Sequence, residues 1–270
     1  MANNERLVEL LNDLVDNYLK EFIRENKVTP TEYRQAVKFL EKTGNSGEIA
    51  PMMDAFLETT IDEVAYGQWA GSPTAIEGPF YIEGAPILEP PYELPHRDEE
   101  PGHVMFFCGQ VCDQEGNPLK CVELDMWQSD ANGVYSNIVP SVPEFNLRGR
   151  FYTDEAGRFE VRSIVPVPYE VPEEWLTAQL LRAIGRHTWR PAHIHVKLRH
   201  ENFHPLTTQI YFEGGEWVND DFIGAVKDGL VARLEKHDDP SDYRQRGLDE
   251  PYYTVNYDFV LVPAREEVLL

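Results

Sequence analysis

The stretch Arg190-Pro191-Ala192-His193-Ile194-His195-Val196-Lys197-Leu198 limits the possible folds more than any other part of the chain. It reads as a β-strand. Side chains alternate between the two faces of a strand, so His193 and His195 point one way and Ile194 and Val196 the other. Pro191 stands at the start of the strand, where its missing N–H does least harm. Arg190 precedes it and is placed to face the same pocket. Two imidazoles ~6–7 Å apart along a strand can converge on one metal ion. Taken alone, the pair is equally well two ordinary strand histidines, so the rest of the chain has to decide.

A chain of 270 residues is long enough for one large domain, or for a domain with a smaller module. Its 24 basic and 47 acidic residues leave a net charge of −23, which repels phosphate backbones and argues against nucleic acid as a partner. No apolar run approaches the ~20 residues of a membrane span. The start, Met1-Ala2-Asn3-Asn4-Glu5-Arg6, lacks the form of a signal peptide. Cys108, Cys112 and Cys121 cluster without the tight spacing of a zinc site. They read as reduced thiols of a cytoplasmic protein.

Residues 5–24 carry Leu7, Leu11, Leu14, Tyr18 and Phe22 at spacings of three and four, which predicts an amphipathic helix. Thr29-Pro30-Thr31-Glu32 predicts the start of a second, with Thr29 as N-cap, Pro30 at N1 and Glu32 at N3. Gly44 is its expected end. A third helix is expected over roughly 52–66. Residues 1–75 therefore read as a helical N-terminal module, with an apolar stripe wide enough to serve a second subunit. Residues 71–103 are rich in Pro and Gly and form a long connection of the kind usually functional or wrapped over a surface.

From about 104 the pattern changes. Val104–Val111, Val122–Gln128, Arg158–Ile164, Ala192–Arg199, Thr207–Phe212 and Tyr252–Val262 are strand-like and separated by turn signals. The expectation is a mainly β chain, with residues 76–270 forming an antiparallel β-sandwich. Helices are expected at Glu173–Ile184 and roughly Asp220–Leu234. Of the 13 tyrosines, Tyr135 and Tyr169 stand out because they fall in loops, the second framed by Pro166, Pro168 and Pro172. Prolines stiffen a backbone and can hold a ring at a fixed point.

Six pieces of the chain, in order, resemble the intradiol ring-cleaving catechol dioxygenases. They are Ile76-Glu77-Gly78-Pro79-Phe80-Tyr81, Gly133-Val134-Tyr135-Ser136, Asn146-Leu147-Arg148-Gly149-Arg150, Ser163-Ile164-Val165-Pro166-Val167-Pro168-Tyr169, Arg190-Pro191-Ala192-His193-Ile194-His195 and Thr207-Thr208-Gln209-Ile210-Tyr211-Phe212. The helical N-terminal module matches the catechol-type members. The resemblance implies a non-haem Fe(III) held by Tyr135, Tyr169, His193 and His195. Fe(III) is a hard ion, and anionic phenolates suit it better than thiolates; a bound cation keeps them deprotonated despite a usual tyrosine pKa near ~10. It implies cleavage of a catechol by O2 between its hydroxylated carbons to a cis,cis-muconate. Tyr169 would leave the iron and act as base, Arg190 would stabilise negative charge on the ring, and Gln209 would hydrogen-bond near the same atoms.

The pocket wall implied by the family falls on Pro51, Asp54, Ala55, Ile76, Gly78, Phe80, Tyr81 and Ile223. Ala55 leaves room for a ring substituent, and the chain length and N-terminal helices favour a substituted (chloro- or methyl-) catechol beside catechol itself. Asp54 could accept a bond from a third hydroxyl, which keeps hydroxyquinol, cleaved to maleylacetate, as the alternative. The resemblance further implies a homodimer through the N-terminal helices, with an apolar tunnel able to hold a phospholipid. Two readings from other classes stand beside it. One is a β-sandwich carrier that uses the same aromatics as a pocket. The other is a zinc hydrolase, which would need a third histidine or a glutamate as ligand.

Overall fold

The computed structural model describes residues 5–264. Residues up to Ile49 form one compact unit and Ala50–Leu270 a second. The sequence reading sets its boundary after the third helix; the packing divides the chain at the start of it.

In the first unit, Glu5–Asp13 is α-helical, Leu14–Leu19 makes a π-helical turn, and Lys20–Glu25 resumes the α-helix. Leu7, Leu11, Leu14, Tyr18 and Phe22 are all exposed in the single chain. The next helix, Pro30–Ser46, opens on a capping box: the Thr29 hydroxyl accepts from the Glu32 amide, and the Glu32 carboxylate accepts from the Thr29 amide at 2.7 Å. It ends at Gly47, in the left-handed region at φ 78°, one turn beyond the expected Gly44.

Helical segments follow at Ile49–Met53, whose first residue still belongs to the first unit, and at Asp54–Glu58 and Thr59–Tyr66 in the second unit. Its strands are β1 (Tyr92–Glu93), β2 (Val104–Cys112), β3 (Glu123–Gln128), β4 (Arg148–Tyr152), β5 (Arg158–Ile164), β6 (Tyr169–Glu170), β7 (Trp189–Arg190), β8 (His193–Arg199), β9 (Leu206–Phe212), β10 (Val231–Ala232), β11 (Leu234–His237), β12 (Tyr252–Asn256) and β13 (Phe259–Val260). One sheet runs β1-β5-β2-β12-β11, with β13 also on β2; the other runs β10-β9-β8-β3-β4. Met105 and Phe107 from the first and Leu124, Met126, Ile194, Val196 and Leu198 from the second are fully buried in one shared core.

The sandwich is mixed rather than wholly antiparallel. The central pairs are antiparallel, while β1–β5, β12–β2, β13–β2 and β10–β9 are parallel. The expected strand Tyr252–Val262 is two strands, interrupted where the Tyr257 carbonyl closes on Gly109; a Cβ there would sit 1.9 Å from that oxygen. The helix expected over Asp220–Leu234 does not form. Gly224 and Gly229, at φ 72° and 86°, turn the chain twice, and β10 and β11 follow. The helix expected at Glu173–Ile184 is present as Leu176–Ala183.

Candidate metal centre and active site

The site lies on the face of the second sheet opposite the core. Strand β8 sends Ile194, Val196 and Leu198 into the core and His193 and His195 out of the other face. Its neighbours extend that outward row. Arg148 lies opposite Trp127, Trp127 opposite His195, and His195 opposite Gln209, while His193 faces Tyr211. Trp127 stacks on the His195 ring at 4.5 Å and 11°.

Both tyrosines reach this row from loops. Tyr135 follows a turn tied by Asp130, whose Oδ1 accepts from the Asn132 amide at 2.8 Å and the Val134 amide at 3.0 Å. Arg97 pairs with Asp130 behind it. Gly133, at φ 76°, lets this loop press against the other: a Cβ there would lie 2.9 Å from Tyr169 Cβ. Tyr169 stands in the β6–β7 ribbon directly opposite Arg190. Ligand candidate and cation are thus set side by side by backbone pairing.

The four candidate ligands converge and are all buried. His193 Nε2 lies 3.0 Å from His195 Nε2 and 3.4 Å from the Tyr135 hydroxyl. The Tyr135 and Tyr169 rings meet edge to face at 5.5 Å, and the Tyr169 ring is 5.7 Å from that of His193. His193 Nδ1 donates to the Pro191 carbonyl at 2.7 Å. That bond fixes the tautomer and leaves the Nε2 lone pair aimed at the centre. Burial, then the Arg190 charge, pulls His193 down to about 3, and burial pulls His195 far down as well. Both imidazoles are neutral, so the His193 Nε2 lone pair can accept from a His195 Nε2–H or, with that proton gone, the two nitrogens can face one cation. Burial raises both phenols, and a bound cation reverses exactly that cost by favouring the phenolates. The donor set therefore fits a hard, highly charged metal ion. Among the described residues no cluster of three or more His, Cys, Asp or Glu is placed to hold a metal.

Beside the four donors lies a cavity lined by Pro51, Asp54, Ala55, Ile76, Gly78, Phe80, Tyr169, Arg190, His195 and Ile223, with Val171, Trp175 and Phe222 closing it. Burial raises the Asp54 carboxyl, and burial beside Asp54 raises Glu58, one turn along, to about 7. Tyr81 does not line the cavity. Its ring packs on Trp127 at 4.9 Å, and its hydroxyl donates to Asp125 at 2.9 Å and accepts from Arg199. A larger open groove of about 840 Å³ on the outer face of the first sheet holds mixed charges, including the Arg246–Glu160 pair, and none of the four donors.

Arg190 is almost wholly buried. Its Nη2 donates to Gln209 Oε1 at 2.9 Å, to the Tyr211 hydroxyl at 3.0 Å and to Asp221 Oδ2 at 3.1 Å, and its Nη1 lies 3.3 Å from His193 Nε2. Gln209 is fully engaged elsewhere: Oε1 also accepts from Tyr211, and Nε2 donates to the Ile76 carbonyl at 2.7 Å. It acts on the cavity through Arg190 and the Ile76 backbone. Asp221, which sequence reasoning missed, is the counterion. Burial alone would raise its carboxyl, but Arg190 more than offsets this and holds it below the usual range. It also accepts from the Ala225 amide, which fixes the turn carrying Ile223. Its partner is 31 positions away, and no local pattern announces the pair.

Residues 76–263 match the family described as "Dioxygenase", and residues 4–72 match "Catechol dioxygenase N terminus". A chlorocatechol 1,2-dioxygenase of Rhodococcus opacus is 40% identical over 262 residues, 96% of this chain and 98% of that one. The crystal structure of 3-chlorocatechol 1,2-dioxygenase from Rhodococcus opacus superposes with a TM-score of 0.89, at 40% identity, covering 96% of this chain and 99% of the other. A hydroxyquinol 1,2-dioxygenase structure from Pseudomonas putida gives a TM-score of 0.84 at 29% identity, covering 98% and 94%. Two family matches in order and close identity across nearly the whole of both chains lead to one conclusion: this chain belongs to the intradiol dioxygenase family and is an enzyme of that type.

Proposed function

We propose that the protein cleaves catechol and chlorinated catechols between their hydroxylated carbons, using O2 and a non-haem Fe(III) held by Tyr135, Tyr169, His193 and His195. The observation that carries this reading is the convergence of two buried phenols and two buried imidazoles at the end of a cavity that also holds Arg190. When bound, ferric iron would take up the catecholate oxygens and draw electron density from the ring, making a ring carbon reactive toward O2. Tyr169, exposed to both the cavity and the donor cluster, accepts a proton from a catechol hydroxyl at its phenolate oxygen. Arg190, fixed by Asp221, Gln209 and Tyr211, offsets negative charge on the ring. Apolar walls from Ala55, Ile76, Phe80 and Ile223 exclude water.

The higher identity to the chlorocatechol relative supports a substituted catechol over hydroxyquinol. Ala55 supports it too, because its single methyl leaves space beside the ring. An Ala55→Leu variant is expected to lose kcat/KM for chlorocatechols about tenfold more than for catechol, measured in one assay series. The exposed apolar faces of the first unit support pairing with a second copy and retention of a phospholipid between them. Three unpaired thiols support a cytoplasmic setting. No helix among the described residues is long and apolar enough to cross a membrane.

The test is a visible absorption spectrum of the iron-loaded protein, before and after anaerobic catechol. Phenolate bound to Fe(III) gives a charge-transfer band, and a bound catecholate moves it to longer wavelength. An iron-containing but colourless protein would sink the diphenolate assignment.

A further inference from the structure

The guanidinium of Arg148 is one of the most deeply buried charges in the chain, with 1% of the residue exposed, and no ion pair with it occurs among the described residues. Its Nε donates to the Ser136 hydroxyl at 2.7 Å and its Nη2 to the Ser136 carbonyl at 3.3 Å; buried Nη1 has no hydrogen-bond partner. Ser136 is the residue next to Tyr135, and the Arg148 Cζ lies 5.8 Å from the centre of the Tyr135 ring. The buried carboxylates in this region are committed elsewhere, Asp125 to Tyr81 and Arg199 and Asp130 to Arg97. A buried cation without a counter-charge is costly, and the group placed to supply one is a phenolate at Tyr135. Nothing in the chemistry assigned above uses this arginine.

We propose that Arg148 is a positioning residue for the metal centre: it pins the Tyr135 backbone through Ser136 and serves as the counter-charge of the Tyr135 phenolate, thereby setting how strongly that ligand donates to the metal. The proposal rests on the ferric diphenolate reading. A positive charge beside a phenolate lowers the energy of its electrons and raises the energy needed to move one to the metal. Removing the charge has the opposite effect. Arg190 draws both phenols down, and Arg148 adds a second positive charge beside Tyr135, so the two phenolates are unequal.

The experiment compares wild type, Arg148→Lys and Arg148→Met, each loaded with iron and assayed for bound metal before the spectrum is read. The expected result is a charge-transfer band moved by tens of nanometres to longer wavelength in the Met variant at equal iron content, with Lys returning most of the shift. An unmoved band at equal iron content overturns the proposal, as does a Lys variant that behaves like Met. A wild-type protein that binds iron without colour instead overturns the diphenolate reading itself, so the two failures are distinct. If Arg148→Met does not fold, Ser136→Ala carries the test: it removes the Nε–hydroxyl bond, leaving only the longer bond to the backbone carbonyl, and the band moves the same way by a smaller amount. An unmoved band there is equally fatal.

Discussion

A His195→Ala variant is expected to purify with little bound iron and to lose ring cleavage by at least ~10³-fold. Replacing a group that merely supports a metal ligand typically costs 10–100-fold, so removal of a ligand itself costs more. The geometry makes substitution by a neighbour improbable on physical grounds. His195 is sealed between Trp127, stacked 4.5 Å away, and the His193 ring 4.6 Å away, and no group of three or more His, Cys, Asp or Glu is placed to hold a metal among the described residues. The measurement is metal analysis together with the charge-transfer band and the turnover of catechol, with circular dichroism to confirm the fold. Iron content and colour equal to wild type would show that His195 is a stacking partner of Trp127 and not a ligand.

The second large effect is expected at Asp221. Both side chains of the Asp221–Arg190 pair are almost fully buried, at 1% and 3% exposed, with contacts of 3.1 and 3.2 Å. Asp221→Asn keeps the shape but leaves the guanidinium without its counterion. Breaking a buried pair from one side typically costs about 3–5 kcal/mol, so urea unfolding should show a clear loss of stability. Activity should fall as well, by about 10²-fold in kcat, because Arg190 can no longer be held where charge develops on the ring. A double variant, Asp221→Leu with Arg190→Met, separates the two roles. Replacing the pair with apolar groups is expected to recover stability and leave the activity low. Recovery of both would mean that the pair is only a structural device.

What could be read from the sequence was what local chemistry decides. The Thr29–Glu32 cap needs only four consecutive residues, and it formed as expected. The two histidines on one face of a strand follow from a period of two. Where several local signals competed, tertiary context chose. Phe222, Ile223, Val226, Leu230 and Leu234 fit a helical spacing, yet Gly224 and Gly229 bend the chain into turns that bring Ile223 to the cavity. Strand β4, with Arg148, Gly149 and Arg150, looks too polar and too flexible to be a strand. It is one because Gly149 packs under Leu88 and Leu94, leaving no room for a Cβ. Tyr81 sits beside Phe80 in sequence but faces away from the cavity, because its hydroxyl has Asp125 and Arg199 to bond. Asp221 and Arg148 were legible only as residues, not as partners, since their contacts join distant parts of the chain.

Strand β8 has one further consequence. The same two-residue beat sets Ile194, Val196 and Leu198 in the core and His193 and His195 on the outer face. The parity of the count thus does two jobs at once. Inserting or deleting a single residue in this strand would turn the histidines into the oily interior and the aliphatic residues toward the substrate side, so fold and chemistry would fail together. A change of two residues would preserve the faces and shift only the level of the site. Over evolutionary time the core-facing letters of the strand can be exchanged for other apolar ones, but whether their number is odd or even cannot change.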